Sequence, residues 1–340
     1  MKLGYNTGYW SKGPPSHALD IVKECDRLGF EHIWTAEAYG SDALTPLAWW
    51  GTHTENVKLG TAIMQMSART PAATAMAALT MDHLSGGRFI AGLGASGPQV
   101  VEGWYGQPYP RPLERTREYV NIMRQIFARE APVAFEGRHY QLPYPHGTGL
   151  GKPLKPTVHP LRKDLPIYLA AEGPKNVALS AEICDGWLPL FFAPKDNQFY
   201  KDALHAGMEA GGRDNLDGFE VAATVTIIPG EDVDACADKM RPMIALYVGG
   251  MGAKGQNFHY DVFERMGYAE ECETIQKLYL SGNKSDAIAA VSTEMCESIA
   301  LLGPPAKIAD ELAMWDESVV TTLLISGPME LVRFAADLVS

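Results

Sequence analysis

Residues that could do chemistry first appear at Gly92-Leu93-Gly94-Ala95-Ser96-Gly97, a run of small residues closing the apolar stretch Arg88–Leu93. Glycines at this G-x-G-x-x-G spacing permit a tight turn and let backbone N–H groups approach a phosphate or pyrophosphate. A second run, Ala171-Glu172-Gly173-Pro174-Lys175-Asn176, joins an expected strand to an expected helix. Free N–H groups at that helix start could hold a phosphate, although an ordinary strand-to-helix loop has the same composition. A polar and aromatic cluster, Glu37, Tyr39, Ser41 and Asp42, follows a third strand end. The chain has no G-x-S-x-G elbow, no H-E-x-x-H and no His/Asp/Glu set at metal-ligand spacing. Cys25, Cys184, Cys236, Cys272 and Cys296 are scattered and never spaced as C-x-x-C, so they read as reduced, buried thiols.

The elements that must position these residues follow from periodicity. Short apolar runs at Lys2–Tyr9, His32–Thr35, Val57–Met64, Arg88–Leu93, Pro166–Ala171, Asp185–Phe191, Phe219–Ile228 and Val319–Ile325 predict strands. Between them, helical spacing predicts helices over Pro15–Gly29, around Pro46–Thr54, and over Ala72–Leu84, Leu113–Ala128, Lys175–Ile183, Lys195–Gly211, Asp232–Val248, Ala306–Met314 and Met329–Leu338. In the Ala72–Leu84 helix, Met76, Leu79, His83 and Leu84 are expected on one apolar face, with His83 structural. Residues 131–165 read as an ordered insertion, neither helix nor strand, and 250–302 as extra helices.

Eight strand-then-helix repeats fit a (β/α)8 TIM barrel in a single domain, 1–340, better than an open doubly wound sheet. The glycine motif falls in the fourth repeat, whereas a dinucleotide fingerprint belongs in the first. In a barrel the site lies at the C-terminal ends of the strands, which nominates Asn6, Glu37, Tyr39, Ala62, Ile63, Met64, Gly94, Ala95, Ser96 and the 171–176 loop. Mostly apolar, aromatic and small side chains suit a site where a flat organic cofactor supplies the reactivity. A formal net charge of −12 argues against nucleic-acid or anionic-membrane partners. No signal-peptide pattern or long apolar run is seen, and a cytoplasmic protein acting on a small molecule is expected.

The segments VKLGTAIMQMSARTPAATAMAALTMDHLSGGRFIAGLG (57–94), FEGRHYQLP (135–143), GLGKPLKPT (149–157) and PIYLAAEGPKNVALSAEICDGWLP (166–189) resemble the bacterial luciferase-like superfamily. They are most similar to its actinobacterial coenzyme F420-dependent oxidoreductases. The resemblance implies a luciferase-like barrel holding a deazaflavin or flavin, with a non-prolyl cis peptide at Ala62-Ile63 bulging against the central ring. It implies that Gly94, Ala95 and Ser96 lie beside the ribityl chain or phosphate, and that Glu172, Gly173 and Pro174 hold the phosphate through main chain, near Asn176. Glu37 corresponds to the family's acidic strand-two residue. Ala38 stands where many F420 enzymes have a histidine, which leaves Glu37 or Tyr39 as the replacement proton donor, with Glu37 alternatively a carboxylate that merely holds a backbone or ring group.

The implied reaction is hydride transfer between C5 of F420 and a small organic substrate. The alternatives are an FMN-dependent monooxygenase and a non-catalytic flavin- or deazaflavin-binding protein. A basic stretch including Lys152 and Lys155, together with Lys175, is a candidate for binding the acidic F420 tail, the other reading being a solvated charged loop. A homodimer is expected by the same resemblance.

Overall fold

Eight short runs form the staves of a parallel sheet: β1 (Lys2–Asn6), β2 (His32–Thr35), β3 (Lys58–Thr61), β4 (Phe89–Gly94), β5 (Ile167–Ala170), β6 (Gly186–Leu188), β7 (Glu220–Thr224) and β8 (Thr322–Ile325). Their order is β3-β2-β1-β8-β7-β6-β5-β4, and β3 also pairs with β4 through Leu59↔Phe89 and Gly60↔Ile90, so the sheet closes into a (β/α)8 TIM barrel. This is a computed structural model that describes residues 1–10, 12–252, 255 and 257–339. Among the described residues no helix is long and apolar enough to cross a membrane.

The chain packs as two compact units. The first comprises Gly4–Ala170 and Leu179–Trp187. Its helices include α1 (Ala18–Arg27), α2 (Leu44–Gly51), α3 (Pro71–Leu84), the short α4 (Pro98–Gly103) and α5 (Pro112–Ala128). Helix α3 starts where its residue types dictate: Thr70 Oγ1 accepts from Ala73 N at 3.2 Å and Pro71 takes the first helical position. Its buried face is Thr74, Ala75, Ala78, Leu79 and Asp82, small residues that let the helix lie close to its neighbours.

This differs from the face expected from sequence. Met76 is 63% exposed, and Leu84 and His83 are also exposed. Asp82 decides the orientation. It is fully buried because the Arg162 guanidinium pairs with it while Nη2 also donates to Phe89 O at 2.7 Å, and a buried carboxylate must be so paired.

The insertion contains a small antiparallel hairpin, Phe135–Glu136 with Gln141–Leu142, where no strand was expected. Two residues per strand are too few for alternation to show. The turn is held by the Glu118 carboxylate of α5, which accepts from Arg138 N, His139 N and Tyr140 N at 2.8–2.9 Å.

The second unit comprises Met1–Leu3, Ala171–Ala178 and Leu188–Ser340. Two expected elements split here: the run after β7 restarts as Thr226–Pro229, and the helix over Asp232–Val248 becomes Val233–Ala237 and Arg241–Gly250. The stretch 250–302 is largely helical, with Phe258–Arg265, Ala269–Leu280, Lys284–Ala289 and Thr293–Glu297, and its residues 253, 254 and 256 lie outside the described residues. It also contains a strand the sequence reading assigned to helix: Ala300–Gly303 pairs in parallel with Thr226–Pro229. Phe191, Met240, Ile244, Val262, Phe263 and Ile275 belong to a core that buries these helices.

One glycine is dictated by close packing within the barrel. A Cβ on Gly60 of β3 would lie 2.3 Å from the Trp34 ring of β2, which packs on Tyr168 with ring centroids 5.7 Å apart. Gly60→Ala is expected to destabilise the protein by about 1–3 kcal/mol, the usual cost of overpacking. An unchanged midpoint in chemical denaturation would contradict this packing.

Candidate active site

Beyond β2 the chain turns inward at Glu37, whose side chain is buried. Oε1 accepts from Gln65 N at 2.8 Å and Oε2 from Ala43 N at 3.2 Å. Arg69 forks across both oxygens, with Nη2 donating to Oε2 at 3.1 Å, and also reaches Asp42. The main chain is tied at the same place: Glu37 N donates to Ile63 O at 3.1 Å, and Gln65 Nε2 donates to Glu37 O at 3.3 Å. The Ala62-Ile63 peptide is cis. Of the two roles open for Glu37, this geometry matches the carboxylate that holds main chain, since both of its oxygens are already engaged.

The β4 loop is built against the same segment. A Cβ on Gly94 would lie 2.6 Å from Ile63 Cδ1, so glycine alone leaves room for the Ile63 side chain. Thr61 Oγ1 of β3 donates to Gly92 O at 2.8 Å, which fixes β4 just before the loop. Ser96 has φ of 58°, and Tyr109 Oη donates to its carbonyl at 2.7 Å. Met64 is buried, while Ala62, Ile63, Ala95 and Ser96 are partly exposed.

The remaining first-unit residues divide. Asn6 Oδ1 accepts from Gly8 N at 2.9 Å, shaping the turn after β1. Tyr39 is 55% exposed, its ring 6.3 Å from that of Tyr9. Tyr105 Oη donates to Ala38 O at 2.9 Å, and burial raises the pKa of this phenol. Lys155 Nζ donates to Glu130 O at 3.0 Å, beyond the C-terminal end of α5, and Lys152 lines the same outer groove. Because helices in this fold run opposite to the strands, that is the far end from Gly94.

In the second unit, the 171–176 loop enters α6 (Pro174–Ile183), and Asn176 N and Val177 N both donate to Gly173 O at 2.9 Å. A Cβ on Gly173 would meet nothing within 4 Å, so main chain at the helix start is open. Lys175 is exposed at its second position. Glu172 Oε1 accepts from Leu190 N at 3.0 Å, and Arg265 Nη2 donates to the Glu172 carbonyl at 2.9 Å. Burial pushes the Glu172 carboxyl up to about 8, against the opposing pull of the Leu190 and Phe191 N–H groups and of Arg265. Burial likewise raises Asp196 and Tyr200.

Arg69, Tyr105, Tyr109 and Arg265 were missed in the sequence. Arg69 alone carried a signal, as the one charge in Ala62–Thr70.

A barrel whose third strand ends in a cis peptide, with glycine loops after the fourth and fifth strands, was compared with known proteins. The family model for luciferase-like monooxygenases matches residues 3–322. The chain belongs to this family. Within the family it is 50% identical over 343 residues to a Mycobacterium tuberculosis protein provisionally named a coenzyme F420-dependent oxidoreductase, covering 100% of this chain and 99% of that one. It is 29% identical to a 5,10-methylenetetrahydromethanopterin reductase of Archaeoglobus fulgidus, over 91% of this chain and 88% of the relative. The coenzyme F420-dependent tetrahydromethanopterin reductase of Methanopyrus kandleri has the same fold, with a TM-score of 0.79 at 24% identity over 98% of this chain and 97% of that one.

Two measurements test these assignments. Glu37→Ala, which strands Arg69 and two backbone donors, is expected to cost about 3 kcal/mol in urea denaturation. A loss below about 1 kcal/mol, the level of an exposed pair, would contradict the buried geometry. For Glu172 the folded pKa lies above the unfolded one, so its stabilising contribution is complete below the unfolded value of 4.5 and is lost as pH rises through about 8. Glu172→Gln should therefore gain stability relative to the parent between pH 5 and 9, and parallel stability profiles would refute the shift.

Proposed function

We propose that the protein is an F420-dependent oxidoreductase, transferring a hydride between the deazaflavin and a small organic substrate. The observation that carries this reading is the end-to-end, 50% identical relative named as a coenzyme F420-dependent oxidoreductase.

The residues fit such a cofactor. A phosphate at the start of α6 would meet open main chain at Gly173, exposed Lys175, and in Glu172 a carboxyl whose pKa burial raises, which lessens its repulsion of an anion. Gly94, Ala95 and Ser96 present a strand end bare of bulky side chains, suited to a ribityl chain passing over backbone. Bound F420 would supply the hydride-carrying C5. The protein's own contribution is positional: Glu37 and Arg69 fix the Ile63 carbonyl, partly exposed Ile63 offers an apolar surface to a flat ring, and Met64 packs buried behind it. Glu37 is thus a positioning residue, and Tyr39, exposed beside Tyr9, remains the proton-donor candidate on that loop.

Purified protein should bind F420 at least about tenfold tighter than FMN, a difference of about 1.4 kcal/mol. Gly173→Asp should weaken F420 binding by at least the same factor. Absorbance of bound F420 should change on addition of an alcohol, carbonyl or enone substrate. Tighter FMN binding with oxygen-dependent turnover would overturn the proposal in favour of a monooxygenase. Cofactor that stays redox-inert across the panel would favour a binding protein.

A further inference from the structure

Where the insertion hairpin lies on α5, three side chains meet that the proposed redox site does not use. Glu114 and Glu118 stand one turn apart on α5, and His139 sits in the hairpin turn. One ligand atom from each lies within 4.8 Å of the others. The His139 side chain is only 10% exposed, and its Nε2 is buried, has no hydrogen-bond partner and stands 3.6 Å from Glu114 Oε2.

That nitrogen is the telling feature. Buried polar atoms in folded proteins are almost always satisfied, and an exception calls for a missing partner. The ring is held in place from its own backbone, because Glu118 Oε2 accepts both His139 N and Tyr140 N, at 2.8 and 2.9 Å. Glu118 Oε1 accepts a single N–H, from Arg138, and so keeps a lone pair. Glu114 is partly exposed and gives the group access to solvent. Its cationic neighbours are loose: Arg111 Nη1 at 3.5 Å and Arg138 Nη1 at 3.9 Å, both on exposed side chains free to swing away.

One imidazole nitrogen and two carboxylates form a donor set suited to a first-row divalent ion such as zinc, with water completing the coordination. We propose that Glu114, Glu118 and His139 bind a divalent transition-metal ion that fastens the hairpin to α5. The ion satisfies the imidazole nitrogen and adds a link between two segments already joined through the Glu118 carboxylate and the Arg115 Nε–Tyr140 Oη hydrogen bond. The site is structural, and its occupancy is independent of the redox reading above.

The test is calorimetric titration of chelator-stripped, tag-free full-length protein with zinc chloride. One zinc per chain is expected, with a dissociation constant of about 1 μM or tighter. His139→Ala and Glu114→Gln should each weaken binding at least about tenfold. Zinc should raise the melting temperature of the parent and leave that of His139→Ala unchanged. Glu114→Gln alters an exposed side chain and decides the matter if His139→Ala fails to fold. Absence of zinc binding by the parent, or parental affinity and stoichiometry retained in Glu114→Gln, overturns the site.

Discussion

The constraint on which the candidate active site depends is the burial of a single carboxylate. A charge removed from water is tolerated only when its neighbours replace the lost hydration, and Glu37 recruits Arg69 and the Gln65 and Ala43 N–H groups to do so. Each partner comes from a different stretch of chain, so satisfying one carboxylate fixes the end of β2 to the start of α2 and to the segment after β3. The Glu37 N–H then holds the Ile63 carbonyl, Ile63 occupies the space over β4, and Gly94 follows because no side chain fits beneath it. An acidic residue, an isoleucine and a glycine far apart in sequence are thus parts of one packing problem.

What could be read in the sequence follows from the range of the forces involved. The run His32–Thr35 is correct to the residue because it is β-branched and aromatic and follows closely on Gly29, which stops the preceding helix. The glycine loops were equally legible, as backbone conformation at a strand end is a local matter. The face of α3 was misread because Met76 and Leu84 look like core residues, while the orientation is set by Asp82 and its distant partner Arg162. Ala300–Gly303 was absorbed into a helical region because four apolar residues carry no period of their own, and only pairing with Thr226–Pro229 makes them a strand. Of the candidate site, positions were visible and partnerships were not. Nothing local indicates that Glu37 meets Arg69 or that burial raises the pKa of Glu172.

The two glycine-bearing strand ends differ in their surfaces. The 171–176 loop leaves main chain open at Gly173, whereas at the β4 end the Ile63 side chain fills the space beside Gly94. Tyr39 and Tyr9 are exposed, so they can change at less structural cost than the buried Glu37.

The insertion is pinned at both ends: Val133 bridges Leu154 in the sheet manner, and Arg162 is locked into the buried pair with Asp82. Everything between is a closed circuit whose entry and exit are set independently of its contents. The entropic cost of such a loop rises only with the logarithm of its length, about 0.6 kcal/mol per doubling. Within the circuit the hairpin is tied again, since Glu118 of α5 accepts Arg138 N, His139 N and Tyr140 N, so a change of length is borne most cheaply over 144–148, between the hairpin and the strand-like bridge at Leu154.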